Sequence, residues 1–238
     1  MIEARLGPAR AVWTDRHGGI SQPPYDTANL SLGGDDDPSA VAENRRRLAA
    51  RLGLPGSESW WWLHQVHGAE TVVAKEPASH GAPDADAVVT DVPGLPMVVL
   101  TADCAPIAIA CDGAAGVVHA GWQGLVNGVV EDAVTRLRAI GGGAVTAVIG
   151  PCIHPGSYEF GADDLARVTA RLGEGVAGRT GDGKPALDLP AAARVALERS
   201  GVQSVADVAI DTAWSPDYFS HRRDGTTGRQ ALVVVLDP

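Results

Sequence analysis

The sequence predicts a single α/β domain with a mixed sheet. Short β-prone segments are interleaved with amphipathic helices along the whole chain, without an internal repeat or a long linker. Regular strand–helix–strand alternation is absent, which argues against a Rossmann fold. With 238 residues, 45% of them hydrophobic, the chain is long enough to bury a sizeable core.

The first half of the chain is rich in predicted strands. A strand over 9–14 is followed by a turn and a polar loop, and a helix then begins at Pro38 after an Asp37 N-cap and ends at Gly53. Further predicted strands are 60–63 with 71–74 as its partner, 85–90, 97–101, and a hairpin of 106–111 with 115–119 around Asp112-Gly113.

The second half alternates longer helices with strands. Apolar residues at helical spacing predict a helix over 124–140 that the glycines at 141–143 stop. A buried strand is predicted over 144–151. The remaining predicted elements are helices at 163–172 and 189–200 and strands at 208–211 and 231–235.

Charge and hydropathy exclude several function classes. The net charge of −10 argues against non-specific nucleic-acid binding, which requires a basic surface. No run reaches the roughly 18 apolar residues of a membrane span. The first residues include an acid and no apolar stretch of the kind found in signal peptides. We therefore expect a cytoplasmic protein without membrane or nucleic-acid partners, and a monomer as the default state.

Three short stretches each place a possible metal ligand, a cysteine thiol or a histidine imidazole, beside small or rigid residues. They are 64–68 (HQVHG), 101–104 (TADC) and 119–122 (HAGW). One thiol and two imidazoles brought together give the ligand count of a catalytic zinc, which keeps one position open. Residues three apart in a strand point to opposite faces, so His64 and His67 should not both reach one site. A turn at the following glycine favours His67, and His64 is interpreted as structural.

Cys104 follows Asp103 at the end of an apolar strand, where loops that carry sites begin. A zinc thiolate and a cysteine nucleophile both require the deprotonated sulfur, so both roles stay open. Asp103 either acts as a general base or orients the loop. Cys111 and Cys152 are interpreted as packed thiols. The candidate catalytic residues are Cys104, His119 and Asp103.

Arginines in two stretches are candidates for binding an anion in this acidic protein. One stretch lies on the first helix, and the other is a turn-rich loop before the last strand. A planar guanidinium binds either an internal carboxylate, such as that of Asp224, or a phosphate group. Together with a glutamine of the first histidine motif, the candidate substrate-binding residues are Arg45, Gln65, Arg222, Arg223 and Arg229.

These motifs, taken in order, resemble the YfiH-like family. That family is also called the laccase-domain or multicopper polyphenol oxidase family and, more recently, the purine nucleoside phosphorylase family. The match runs nearly end to end, and the ordered set is far more specific than any one motif. The matching segments are 14–21, 29–32, 36–38, 43–45, 65–68, 101–104, 119–122, 149–159 and 220–230.

The resemblance implies a fold and a metal site. The fold is a single-domain layered α-β-β-α arrangement with mixed sheets over residues 1–238, similar to the CNF/YfiH-like cysteine hydrolase fold. The zinc ligands of the family fall on His67, Cys104 and His119 of this sequence.

The resemblance also implies an activity. It is phosphate-dependent cleavage of adenosine, inosine, guanosine and methylthioadenosine, with adenosine deamination as a second reaction, so the expected partners are a small-molecule nucleoside and phosphate. Two places depart from the family pattern: Gly33-Gly34-Asp35 replaces a His-Val-Gly, and His154 stands where further cysteines are common. Neither change touches the implied ligands, but both leave the substrate preference open.

Three alternatives are kept beside this interpretation. A copper-dependent polyphenol oxidase (laccase) is one, because copper binds such a thiol–imidazole site more tightly than zinc and can load adventitiously. The 7 histidines include no His-x-His pair, which argues against a multicopper site. A hydrolase with Cys104 as nucleophile and His119 as base, acting on peptidoglycan precursors or another amide, is the second. A binding module without catalysis is the third.

Overall fold

The computed structural model describes residues 1–79 and 81–237. The strands are β1 (Ile2–Leu6), β2 (Ala9–Trp13), β3 (Thr71–Ala74), β4 (Ala87–Thr90), β5 (Met97–Thr101), β6 (Ala105–Asp112), β7 (Ala114–Ala120), β8 (Gly142–Ile149), β9 (Ala177–Arg179), β10 (Pro185–Leu187), β11 (Ser204–Asp207) and β12 (Gln230–Leu236). The α-helices are α1 (Pro38–Leu52), α2 (Trp122–Asn127), α3 (Val129–Ile140), α4 (Ala162–Leu172), α5 (Leu189–Arg199) and α6 (His221–Asp224). Within the described ranges, no helix is long and apolar enough to cross a membrane.

The main elements stack as four layers in the order helix, sheet, sheet, helix. Helix α1 packs on the outer face of an antiparallel sheet with strand order β1-β2-β12-β5. The facing sheet has the order β11-β8-β6-β7-β4-β3, and its two edge pairs are parallel. Helices α3 and α5 cover its outer face, with α2 and α4 beside them. The layered α-β-β-α prediction is confirmed, and the six-stranded sheet is the mixed one.

The central strands divide their side chains between two hydrophobic cores. Ile107 and Ile109 of β6 pack with Leu137 of α3, whereas Ala108 and Ala110 of the same strand face the other sheet. The pleat of a β-strand imposes this two-residue alternation. Full burial of each isoleucine or leucine contributes roughly 1.5–3 kcal/mol of transfer free energy to folding.

Helix α1 has the ends that its sequence predicts. The carboxylate of Asp37 accepts the N–H of Ser39 at 2.9 Å and caps the helix, while Pro38 occupies the first helical position. Gly53 ends the helix with a left-handed φ of 66°, which a glycine adopts without a Cβ clash.

Three predictions about elements are wrong, those over 60–63, 124–140 and 208–211. Segment 60–63 is not a strand, since Trp61 makes only an isolated bridge to Met97 and β3 pairs with β4 instead. The indole N–H groups of Trp60 and Trp62 bind carbonyl oxygens of the preceding turn and hold this segment in irregular structure. The predicted helix over 124–140 is two helices, α2 and α3.

Backbone conformation and exposure explain the other differences. Gly128 breaks the predicted helix with a φ of 95°. The last parallel edge strand, β11, lies before the predicted segment 208–211. The sequence does not predict β1, because its polar side chains leave it half-exposed at a sheet edge. It does not predict β9 and β10 either, because each is only three residues long.

Strand pairing brings the chemically active motifs together. Because β6 pairs antiparallel with β7, Cys104 just before β6 lies beside His119 near the end of β7. Because β12 pairs antiparallel with β5, Gln230 lies opposite Thr101, which places Arg229 next to the same β5–β6 loop. The site is therefore built from loops and strand ends of both sheets.

Candidate metal centre and cleft

Three side chains converge as a potential metal site. His67, Cys104 and His119 each offer one ligand atom, and these atoms lie within 4.8 Å of one another. The two imidazole rings meet edge to face with centroids 4.8 Å apart. His119 is buried, Cys104 is half-buried and His67 is exposed, so the triad is accessible from one side. One thiol and two imidazoles form a donor set that suits zinc and also copper.

The backbone at His67 turns sharply and is held by one carboxylate. Its φ is 56°, which is uncommon for a residue other than glycine. The N–H groups of Val66, His67 and Gly68 donate to the carboxylate of Asp86 at 3.2, 3.1 and 2.7 Å. These hydrogen bonds offset the local strain, which is of order 1–3 kcal/mol for such a conformation.

The same carboxylate orients His119. Asp86 Oδ1 lies 2.7 Å from Nδ1 of His119, and both side chains are buried. With its proton on Nδ1, the imidazole directs Nε2 towards Cys104. Burial opposes ionisation of Asp86, but the hydrogen bond to His119 and the backbone N–H groups lower the pKa of the carboxyl. Burial also opposes protonation of His119, yet Cys104 and Asp86 raise its pKa to about 9.

Sequence reasoning did not single out Asp86. A signal was present, because Asp86 is the one acid inside the apolar segment ADAVV at 85–89. A charged group in a buried strand needs donors around it to offset the loss of hydration. An isolated acid in a buried strand therefore indicates a partner, although it does not identify His119.

Gly121 leaves the space in which the triad lies. A Cβ at this position would lie 2.5 Å from Nδ1 of His67 and 3.2 Å from Sγ of Cys104. Its φ of −77° is open to any residue, so the requirement for glycine is steric. Any side chain here would displace two of the three candidate ligands.

Asp103 directly precedes Cys104 and is held by two hydrogen bonds. Its Oδ1 accepts the hydroxyl of Thr212 at 2.6 Å, and its Oδ2 accepts the backbone N–H of Arg222 at 2.7 Å. Its φ is 100°, a strained value for a side-chain-bearing residue. Because both carboxylate oxygens are engaged, this geometry favours the orienting role over that of a general base.

The triad lines a cleft of about 710 Å³. This volume lies within the roughly 300–1,000 Å³ that is typical of small-molecule sites. The cleft adjoins a second space of about 260 Å³, which we call the side chamber. The residues that line both spaces are Ser31, Gly33, His221 and Arg229.

One wall of the cleft is a flat stack of side chains. The guanidinium of Arg45 lies 3.6 Å from the centroid of the Trp62 ring, and its Nε donates to the carbonyl of Leu30 at 2.8 Å. Trp62 stacks in turn on Trp60, with centroids 5.9 Å apart. Burial lowers the pKa of Arg45 to about 10, which leaves it charged at neutral pH.

Gln65 and His64 also line the cleft, but both have partners. The Gln65 amide donates to the carbonyl of Leu100 at 2.7 Å and accepts the N–H of the same residue at 2.8 Å. This pairing ties the HQVHG segment to β5. His64 Nδ1 lies 2.6 Å from Asp84 Oδ1, and His64 is not among the converging ligand atoms.

The three arginines of the C-terminal loop have different surroundings. Arg222 donates to the carbonyl of Glu159 at 2.9 Å, and Arg223 binds Asp224 and three backbone carbonyls. Neither lines the cleft. Of the three, Arg229 is the one that lines the cleft together with the triad.

The other two thiols lie in the core between the six-stranded sheet and its helices. Cys111 and Cys152 are both buried, and burial raises the pKa of each thiol. A thiol with a raised pKa is a poor nucleophile and a poor metal ligand. Their packing role agrees with the sequence interpretation.

The whole chain resembles known proteins. Residues 10–237 match the family described as multi-copper polyphenol oxidoreductase laccase. The chain belongs to this family. A relative from Mycobacterium tuberculosis named purine nucleoside phosphorylase is 40% identical over 233 residues, which cover 96% of this chain and 92% of the relative. A Streptomyces coelicolor protein with the same name is 42% identical over 230 residues, covering 94% of each.

Solved structures of this laccase family share the architecture. A Neisseria meningitidis protein has 34% identity and a TM-score of 0.88, with 100% of this chain and 99% of that chain covered. YlmD from Geobacillus stearothermophilus has 32% identity and a TM-score of 0.89, with 97% and 93% covered. These similarities confirm both the family resemblance and the fold inferred from the motifs.

Proposed function

We propose that this laccase-family protein is a zinc-dependent purine nucleoside phosphorylase that acts on adenosine, inosine, guanosine and methylthioadenosine. The observation that carries the proposal is the His67–Cys104–His119 triad in a cleft of small-molecule size that Arg229 also lines. The name shared by relatives at 40% and 42% identity supports the same reaction class. We further propose a cytoplasmic monomer with nucleoside and phosphate as its ligands.

The residues present fit a zinc ion. The three ligand atoms are close enough to share one ion, Asp86 orients the His119 ring, and Gly121 leaves the necessary space. His67, Cys104 and His119 would hold the metal. When bound, zinc would supply Lewis-acid chemistry to the cleft that these three residues line.

The Arg45–Trp62 stack is the proposed platform for the purine ring. Because Arg45 lies over the Trp62 ring, the purine would stack on the outer plane of the guanidinium. Stacking of a base on such a plane contributes roughly 1–3 kcal/mol and tolerates different purines. The hydrogen bond from Arg45 to Leu30 fixes the platform before the substrate arrives, which lowers the entropy cost of binding. A platform of this kind suits several nucleosides rather than one.

The proposed reaction exchanges one bond at the ribose. An oxygen of hydrogenphosphate bonds to the anomeric carbon, and the bond from that carbon to the purine nitrogen breaks. The electron pair of the broken bond moves to the purine nitrogen, which receives the proton of hydrogenphosphate. The products are the free purine and ribose 1-phosphate. Arg229 is the proposed phosphate-binding arginine, and Asp103 is proposed to hold the Cys104 loop in place.

The test begins with protein purified without chelator and without added copper. Its zinc and copper contents are quantified, and it is then assayed with adenosine in the presence and absence of phosphate. We expect one zinc per chain and adenine that forms only with phosphate. His67→Ala should lose both zinc and turnover, whereas the matched control His17→Ala, at an exposed histidine outside the cleft, should keep both.

The same experiment separates the alternatives. Inosine formed from adenosine, with water consumed and ammonia released, would add the deaminase activity that the resemblance implies. Stoichiometric copper with phenol oxidation would favour the laccase. Zinc without any purine product would contradict the phosphorylase. Alkylation of Cys104 that zinc does not slow would favour the cysteine hydrolase, since a metal-bound thiolate is protected.

A further inference from the structure

We propose that the side chamber is an oxyanion subsite in which Arg229 and His221 hold the inorganic phosphate that attacks the nucleoside. This inference rests on the proposed phosphorylase function and deepens it. It gives phosphate a place of its own beside the cleft, so that both substrates can be bound together.

Arg229 presents a free edge with two N–H donors. Its Nη1 is anchored because it donates to the carbonyl oxygens of Thr227 and Gly228, both at 2.9 Å. Among residues 1–79 and 81–237, its Nε and Nη2 have no hydrogen-bond partner and its guanidinium forms no ion pair. Two parallel N–H groups of one guanidinium match two oxygens of a phosphate.

The Arg229 guanidinium is partly desolvated and forms no ion pair with any described residue. Burial lowers the pKa of its guanidinium, and the charges of Cys104 and Asp103 partly offset that effect. Asp103 already accepts two hydrogen bonds, and Cys104 is a candidate metal ligand, so neither is free to pair with the arginine. A partly desolvated cation without a partner is costly, and a bound anion removes this cost.

His221 supplies a second polar group to both spaces. Its Nδ1 lies 2.7 Å from the carbonyl of Gly225 and therefore donates to it. In the neutral ring this leaves Nε2 as an acceptor, which suits the hydroxyl of hydrogenphosphate. Thr227 of the chamber wall is 6% exposed, and its hydroxyl has no partner in the described part of the chain. The exposed acid Asp35 also lines the chamber, so the bound anion depends on Arg229 for its counter-charge.

Size and position fit this division of the two substrates. The side chamber, at about 260 Å³, lies below the roughly 300–1,000 Å³ of ordinary small-molecule sites. It is roughly nine times the ~30 Å³ share of one liquid water, which is room for an oxyanion and a few waters. Because Arg229 and His221 line both spaces, an anion here borders a nucleoside in the cleft.

The direct test is calorimetric titration of the zinc-loaded protein with inorganic phosphate alone, followed by kinetics with adenosine. We expect Arg229→Gln to weaken phosphate binding and to raise the KM for phosphate by about 10- to 100-fold, as for loss of a charge-assisted hydrogen-bond pair. The KM for adenosine should change little. Arg229→Lys, which keeps the charge but loses the fork, should have an intermediate effect. Arg51→Gln, on an exposed arginine of α1, is the charge-matched control.

His221→Gln provides an independent variant at an exposed position, in case Arg229→Gln does not fold. We expect it also to raise the KM for phosphate, and circular dichroism verifies folding of each variant. Unchanged phosphate affinity in folded Arg229→Gln and His221→Gln would overturn the subsite even if phosphorolysis is observed. Phosphate binding that depends on Arg229 in a protein without phosphorolysis would support the subsite and contradict the proposed function.

The phosphate group of a nucleotide is the other source of the same chemistry. Titration with adenosine 5′-monophosphate separates the two sources. We expect adenosine 5′-monophosphate to bind no more tightly than adenosine. We also expect inorganic phosphate to bind to the adenosine complex as tightly as it binds to the free protein. Tighter binding of the nucleotide together with exclusion of inorganic phosphate would overturn the assignment to inorganic phosphate.

Discussion

Asp86 and His119 form a buried carboxylate–imidazole pair in which Oδ1 of the acid lies 2.7 Å from Nδ1 of the ring. The same carboxylate accepts the backbone N–H groups around His67. One side chain therefore orients two of the three candidate metal ligands. The metal site depends on a residue that is not itself one of the converging ligands.

The first prediction concerns this carboxylate. Asp86→Asn should lower zinc affinity about 10- to 100-fold, because removal of a group that orients a histidine ligand has effects of this size. The measurement is zinc competition with a chromophoric chelator. Asp91→Asn is the control and should bind zinc like the wild type. Asp91 lies just after β4, and its carboxylate pairs with Lys75. Equal zinc affinity of Asp86→Asn and the wild type would show that Asp86 has no role in the site.

The second prediction concerns the space occupied by the triad. Gly121→Ala should reduce zinc occupancy strongly, because its Cβ would lie 2.5 Å from Nδ1 of His67. Gly142→Ala, at the exposed start of β8 where a Cβ meets nothing within 4 Å, should keep full occupancy. Metal analysis of both purified proteins tests the pair. Full zinc occupancy in Gly121→Ala would contradict the assigned ligand geometry.

The third prediction concerns the purine platform. Trp62→Ala should raise the KM for adenosine by roughly 5- to 150-fold, because it removes the ring that holds the Arg45 plane and so weakens a base stack of ~1–3 kcal/mol. The KM for phosphate should stay within about twofold, since Trp62 does not line the side chamber. Trp214→Ala removes an indole that is 84% exposed and should leave both constants unchanged. An unchanged KM for adenosine in Trp62→Ala would place the purine elsewhere.

The fourth prediction concerns the core that supports the site. Ile109→Ala should lower the free energy of unfolding by about 2–5 kcal/mol, because it removes methylene groups from a closed core. Ile109 is fully buried between β6 and the helices. Leu32→Ala, at a leucine that is 57% exposed, should change stability little. Urea denaturation measures the free energy of unfolding of both variants. Similar denaturation midpoints for the two would show that this core packs loosely.

Much of the fold could be predicted from local chemistry. The Asp37 cap, Pro38 and Gly53 identify α1, and the apolar runs of β5 to β8 identify the central strands. The tryptophans at 60–62 were misleading, because aromatic residues are typical of strands, yet these indoles bind nearby carbonyls. Strand pairing and register depend on contacts distant in sequence, and no local pattern contains them.

The candidate ligands could be predicted as a set, but their support could not. The motifs around His67, Cys104 and His119 are visible in the sequence. That Asp86 joins two of them follows only from the packing of β4 against β7. Sequence alone also could not separate the loop arginines: Arg223 is engaged by backbone carbonyls, whereas Arg229 keeps two nitrogens free of partners in the described structure.

The most direct test of the phosphorylase is to follow the phosphorus atom. The zinc-loaded protein is incubated with adenosine and inorganic phosphate, and phosphorus NMR is recorded while adenine is quantified by chromatography. The account predicts a ribose 1-phosphate signal that grows in step with adenine, and neither product when phosphate is left out. Adenine released at the same rate without phosphate, together with free ribose, would contradict it.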